Sequence, residues 1–162
     1  MKKLLSLGVV FLFITMSATT MSSSQDHGKD SIRERFVGAW RLAWLEEQGA
    51  DGQIQKADCS GLLVYTRDGH MSVQVMYRNP PASSQAAANA APLQYAQGGY
   101  EASFGRYDID EGTHTFNFYV EGALVRTLIG KVLPRAFEFS GKQLIVKSTR
   151  AEEHWRVAWD HY

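Results

Sequence analysis

Five histidines, one cysteine and a scatter of carboxylates are the groups in this chain with which chemistry could be done. Their spacing argues against most of it. His27, His70, His114, His154 and His161 never fall into His-x-His or His-Glu-x-x-His, and no cysteine or aspartate spacing resembles a zinc site, so no metal is expected. They read as solvated histidines near strand ends. No glycine-rich phosphate loop, Gly-x-Ser-x-Gly elbow or serine–histidine–acid signal occurs, so neither a cofactor nor a catalytic residue is assigned. Glu121 becomes a general acid with a raised pKa only if it points into an apolar cavity. A glutamate before glycine at a strand end otherwise faces water or pairs with an arginine. Cys59, in Lys56-Ala57-Asp58-Cys59-Ser60, reads as an incidental loop cysteine. As the lone cysteine it allows no internal disulfide, so the fold must stand on its core.

The elements that position these groups begin after a leader. Lys2 and Lys3 precede an apolar run from Leu4 to Met16, followed by small residues through Ser24, the layout of a secretory signal peptide. The run is shorter than the roughly 20 residues of a membrane-spanning helix; a retained signal anchor is the alternative. Residues 1–24 are therefore expected to be removed, giving a periplasmic or secreted protein with no stable membrane insertion. Residues 25–32 read as a flexible start and 33–162 as one domain. The chain has 162 residues, 44% hydrophobic and 21% charged, ordinary for a globular protein with one core. Its 17 basic and 17 acidic residues become 15 and 17 without the leader, a formal charge of −2. With no basic patch interleaved with aromatics, nucleic acid is not an expected partner.

From Phe36 onward apolar and polar residues alternate with period two, interrupted by turn residues about every ten positions. That spacing predicts an antiparallel barrel or sandwich. Strands are expected at roughly 37–47, 61–67, 70–78, 101–109, 113–121, 123–130, 134–140, 142–149 and 152–160. Asp68-Gly69, Asp110-Glu111-Gly112 and Ser140-Gly141-Lys142 read as hairpin turns, and Glu121-Gly122 as a bulge or tight bend. Short hairpins throughout favour an up-and-down barrel, which removes its edges by closing on itself. Residues 79–99, with Pro80, Pro81, Pro92 and many alanines, break the rhythm. Such a connection is either a lid or a plain linker, with a short helical turn possible after Pro92.

Three local patterns together resemble the lipocalin-like domain family. They are Phe36-Val37-Gly38-Ala39-Trp40-Arg41-Leu42 after a helical turn at Ser31 to Arg35, the hairpin from Gly61 to Gln74, and Phe104-Gly105-Arg106-Tyr107-Asp108 followed by Val120-Glu121-Gly122. The resemblance spans about 33 to 160. It implies an all-β, up-and-down barrel of eight to nine strands, with a Gly-x-Trp (Gly38, Trp40) closing one end and an arginine stacked over that tryptophan. Arg156 is the candidate. Where relatives often carry adjacent histidines, this chain has Phe118 and Tyr119, which removes any histidine-dependent chemistry from the expectation.

A barrel of about eight strands can be filled by side chains or hold one small ligand. Apolar sets facing inward would place Trp40, Leu42, Trp44, Met71, Val73, Val75, Phe116 and Phe118 inside. Tyr65, Tyr77, Tyr107 and Arg106 are candidates for the few polar groups that orient a ligand, with Phe104 beside them. The expected function is capture of a small, largely apolar molecule. A cofactor-free isomerase or cyclase is the alternative, and would need a Tyr, His or Glu pair converging within hydrogen-bond reach inside the cavity, with Tyr107 or His70 near Glu121 or Arg106 as the pair to look for. A filled barrel with a structural or interaction role is the third reading.

Overall fold

In the computed structural model, which describes residues 31–49, 51–79 and 95–162, the period-two pattern becomes nine antiparallel strands. They are β1 (Gly38–Gln48), β2 (Ile54–Lys56), β3 (Cys59–Tyr65), β4 (His70–Tyr77), β5 (Tyr100–Asp110), β6 (Thr115–Ala123), β7 (Val132–Ser140), β8 (Gln143–Ser148) and β9 (Trp155–His161). Each strand from β3 to β9 pairs with the next, and β1 pairs with both β3 and β9. Eight strands thus close a barrel, leaving no open edge among them. The ninth, β2, is a short flap hydrogen-bonded to the far end of β1. Among the described residues, no helix is long and apolar enough to cross a membrane.

One end is sealed by the segment before β1. Helix α1 (Ile32–Phe36) starts at Ser31, whose hydroxyl accepts a hydrogen bond from Glu34 N at 3.3 Å. It delivers Phe36 into the barrel, where the ring is 0% exposed and meets Tyr65, Tyr107, Phe116, Phe137 and Phe139 at centroid distances of 4.8–6.3 Å. Trp40 Nε1 donates to Phe36 O at 2.8 Å, tying the helix to β1. Gly38 sits at φ +137°, and a Cβ there would collide with the His161 ring, so only glycine fits.

The expected arginine over Trp40 is not there. The His161 ring meets Trp40 edge-on at 4.6 Å, and Arg35 covers Phe139 at 3.9 Å. Arg156 stands over Trp44 at 5.3 Å and bonds Glu46 at 2.6 Å. The register is the reason: Arg156 is opposite Glu46, while Trp40 is opposite His161 at the other end of the same pair of strands.

Two irregularities decide what faces inward. Between Leu42 and Trp44 the pairing with β9 slips by one residue, so Leu42 opposes Trp159 and Trp44 opposes Ala158. This bulge flips the alternation. Trp44, expected inside, is turned out, and Leu45 and Glu47 are turned in and buried. On β6, Glu121 is the extra residue, because Gly122 opposes Phe104 while Val120 opposes Gly105. The expected bend at Glu121-Gly122 takes this form. A Cβ on Gly122 would collide with the Phe104 ring, which therefore lies across the glycine on the outer wall.

The strand expected at 123–130 does not form. β6 runs on to Ala123, and a 3-10 turn at Arg126–Leu128 follows. The chain then reverses at Gly130 (φ +80°), whose N–H returns to Val120 O. Nor does the Asp110 hairpin turn on Gly112: the residue at positive φ is His114 (+54°), while Asp110 Oδ1 accepts from the N–H groups of Gly112 and Thr113.

Candidate functional site

The half of the barrel away from α1 is hollow. A cavity of about 80 Å³ lies there, several times the space one water needs. All eight barrel strands contribute to its wall. Leu63 and Tyr65 come from β3; Met71, Val73, Val75 and Tyr77 from β4; Phe116 and Phe118 from β6; and Leu45, Leu133, Val146, Val157 and Trp159 from β1, β7, β8 and β9. Polar groups are few: Tyr95, Glu101, Ser103, Arg135 and Trp155.

Seven of the residues proposed from sequence therefore meet around one space: Tyr65, Met71, Val73, Val75, Tyr77, Phe116 and Phe118. The others do not join them. Phe104 is 56% exposed on the outer wall. Arg106 shares its outward parity and pairs with Glu121 at 3.1 Å in solvent. Tyr107 is buried, but in the aromatic plug, where its hydroxyl donates to Thr66 O at 2.9 Å. His70 is exposed beside Asp68. The Tyr107 or His70 pair with Glu121 or Arg106 that an isomerase of the expected kind would need is thus not inside the barrel.

The groups missed in the sequence are the polar ones. Arg135 lies on the inward parity of β7 between Leu133 and Phe137 and is 7% exposed. Its guanidinium stacks over Tyr95 at 5.0 Å and Trp155 at 5.1 Å. Tyr95, just before β5, is buried and donates to the Glu153 carboxylate, 3.0 Å from both oxygens. Glu153 also accepts from Trp155 Nε1 and from Arg150, both at 3.1 Å. Burial opposes its charge, but hydrogen bonds, those of Trp155 and Tyr95 among them, outweigh it and hold the carboxyl below its usual range. Tyr95 thereby ties the connection after β4 to the turn between β8 and β9 across the mouth. The helical turn expected after Pro92 lies mainly outside the described residues.

Among the described residues Glu101 has no such partners. Burial pushes its carboxyl up to about 7, with Arg135 opposing. Tyr77 OH donates to the buried Glu47 carboxylate at 2.9 Å, and burial raises that carboxyl too. Cys59, partly buried near Glu47, is pushed up to about 11 by burial and by that carboxylate, which keeps its thiol inert. Tyr65 is 1% exposed, and among the described residues its hydroxyl has no hydrogen-bond partner. Among the described residues, no three His, Cys, Asp or Glu side chains stand close enough to share a metal ion.

A closed eight-stranded meander, plugged by aromatic rings at one end and hollow at the other, is a ligand-holding type of barrel. Residues 37–160 match the lipocalin-like domain model, and the chain belongs to that family. Its solved structural neighbours are distant. A lipocalin-like protein from Bacteroides uniformis is 15% identical, with a TM-score of 0.45 over 79% of this chain and 99% of that one. An uncharacterised protein from Bacteroides eggerthii is 14% identical, with a TM-score of 0.44 over 78% and 99%. The N57A mutant of the fluorescent protein UnaG is 13% identical, with a TM-score of 0.40 over 80% and 97%. Among curated proteins none matches the chain.

Proposed function

We propose that this protein is exported and holds a small, largely apolar molecule in the hollow half of its barrel. The observation that carries the reading is the cavity wall: aliphatic and aromatic side chains from seven of the eight barrel strands surround it, with a handful of polar groups, among them Glu101 and Ser103 from β5. Ligand sites are built in this proportion, the apolar surface giving affinity and the few polar groups orientation. Arg106, Glu121 and His70 face outward, so the pairs singled out for the isomerase alternative do not form, and the Tyr–Glu pair left to serve it is the buried Tyr77 with Glu47. The basic and apolar leader supports export.

The test is native mass spectrometry of mature protein purified gently from its own host. The expected result is an N-terminus near residue 25 and a discrete added mass that organic extraction removes. A clean apo mass, with no quenching of tryptophan fluorescence by a panel of apolar probes, would overturn the reading in favour of a filled barrel. An intact leader would overturn the export.

A further inference from the structure

Arg135 is the anomaly of the cavity. A buried charge is normally paired with an opposite charge or saturated with hydrogen bonds; among the described residues Arg135 falls short of both, its nearest ionised carboxylate, Glu153, standing behind the Tyr95 hydroxyl. No carboxylate lies within 4.0 Å of it among the described residues, and there it donates from Nη1 to the neighbouring Pro134 O at 3.1 Å. Glu153, the nearby acid that could have paired with it, is instead engaged by Tyr95, Trp155 and Arg150. The two aromatic faces compensate part of the charge, each cation–π contact contributing about 0.5–2 kcal/mol. They flank the guanidinium and, beyond the Pro134 bond and the Tyr95 hydroxyl, leave most of its five donors without a partner among the described residues. The position is central: the charge acts on Tyr65, Tyr95, Glu101 and Glu153 alike. A second polar group on this cavity, the buried hydroxyl of Tyr65, has no hydrogen-bond partner among the described residues.

We propose that the ligand is an apolar molecule bearing a carboxylate or similar planar acid group, which Arg135 receives through its guanidinium fork between the rings of Tyr95 and Trp155. This rests on the reading that the cavity holds a ligand and names the ligand's class. A planar anion supplies what the site lacks: two acceptors matched to two parallel N–H donors, and the charge that a buried arginine requires. The tail packs on Met71, Phe118, Leu133 and Val146. Glu101 fits the scheme as a proton carrier. When protonated it donates to the incoming acid, and when ionised it repels it. Facing it across the cavity are Arg135 and the hydroxyls of Tyr65, Tyr77 and Tyr95, with Glu47 behind Tyr77 and Glu153 behind Tyr95. Affinity for an acid therefore falls as pH rises past neutrality, and affinity for a neutral probe does not.

The test titrates the extracted, full-length mature protein with hexanoic and octanoic acids and with the corresponding primary alcohols at pH 6, following the Trp155 indole N–H by NMR. Acids are expected to bind at least tenfold more tightly than alcohols of equal length. Arg135→Met is expected to abolish that gap while keeping alcohol binding, and Arg135→Lys to retain part of it. Equal binding of acid and alcohol to the wild type, or a gap that survives in Arg135→Met, overturns the assignment but leaves the ligand-holding reading standing. Failure of the wild type to bind any of the four probes overturns the assignment, and with no mass recovered from the host it overturns the broader reading as well. If Arg135→Met does not fold, Arg135→Gln takes its place, and the wild-type comparison alone can still refute the proposal.

Discussion

The two halves of this barrel are built to different standards of completeness. Around α1, aromatic rings fill the interior and the polar atoms that stay within the plug have partners: Trp40 Nε1 meets Phe36 O, and Tyr107 OH meets Thr66 O, while Tyr65 belongs to the plug by its ring and lines the cavity as well. In the other half, among the described residues, a guanidinium has no carboxylate within 4.0 Å, burial pushes a carboxyl up to about 7 and a phenol has no hydrogen-bond partner. Native proteins leave buried polar groups unsatisfied only at a cost of about 1–3 kcal/mol each. The contrast separates a region shaped for stability from one shaped to receive something.

Four experiments break or sharpen that contrast. The largest effect is expected in the plug: Phe36→Ala removes a fully buried ring that touches five others and should cost about 3–5 kcal/mol in urea unfolding. A loss under about 1 kcal/mol would mean that the plug is not the stability centre. Next comes pH. Glu101 has a folded pKa of about 7 against an ordinary glutamate value near 4.3 when unfolded. A raised folded pKa means that its stabilising contribution is complete below the unfolded value and is lost as pH rises through about 7. The total is on the order of 3 kcal/mol. Glu101→Gln, which stays neutral, should flatten that part of the stability–pH profile; an unchanged slope would refute the buried carboxyl.

The sharpest comparison uses two tyrosines whose rings lie 4.9 Å apart. Tyr107→Phe removes a satisfied hydroxyl and should lose about 1 kcal/mol, whereas Tyr65→Phe removes an unsatisfied one and should be neutral or gain about as much in the apo protein. Equal losses at both sites would show that Tyr65 OH has a partner in solution. Smallest of all is Arg106→Ala on the outer wall. Its pair with Glu121 is exposed, so thermal unfolding should change by less than about 1 kcal/mol and ligand binding not at all.

Alternation located the walls well where strands are regular. Met71, Val73, Val75 and Tyr77 on β4, and Phe116 and Phe118 on β6, face the cavity as their parity predicts. It failed at Trp44, because a single inserted residue before it reverses inside and outside, and nothing in Leu42-Ala43-Trp44 announces the bulge. It failed differently at Glu101 and Arg135. Parity alone would have placed Arg135 inward between Leu133 and Phe137, but reading polar residues as outward discards the signal at a position where a charged side chain breaks the hydrophobic rule. Tyr95 was out of reach for a third reason. It precedes a strand in an irregular connection, where no periodicity exists to assign it a face.

The seam that closes the barrel joins β1 to β9, the first and last strands, with Trp40 opposite His161. Every other neighbour among the eight is joined by a connection that the growing chain has already made, but this pairing must wait for the final strand and bear the entropy of the largest loop in the molecule. The enclosed space is accordingly a late property of the chain. A nascent chain short of β9 has strands but no inside, and whatever this protein holds can be enclosed only by a finished molecule.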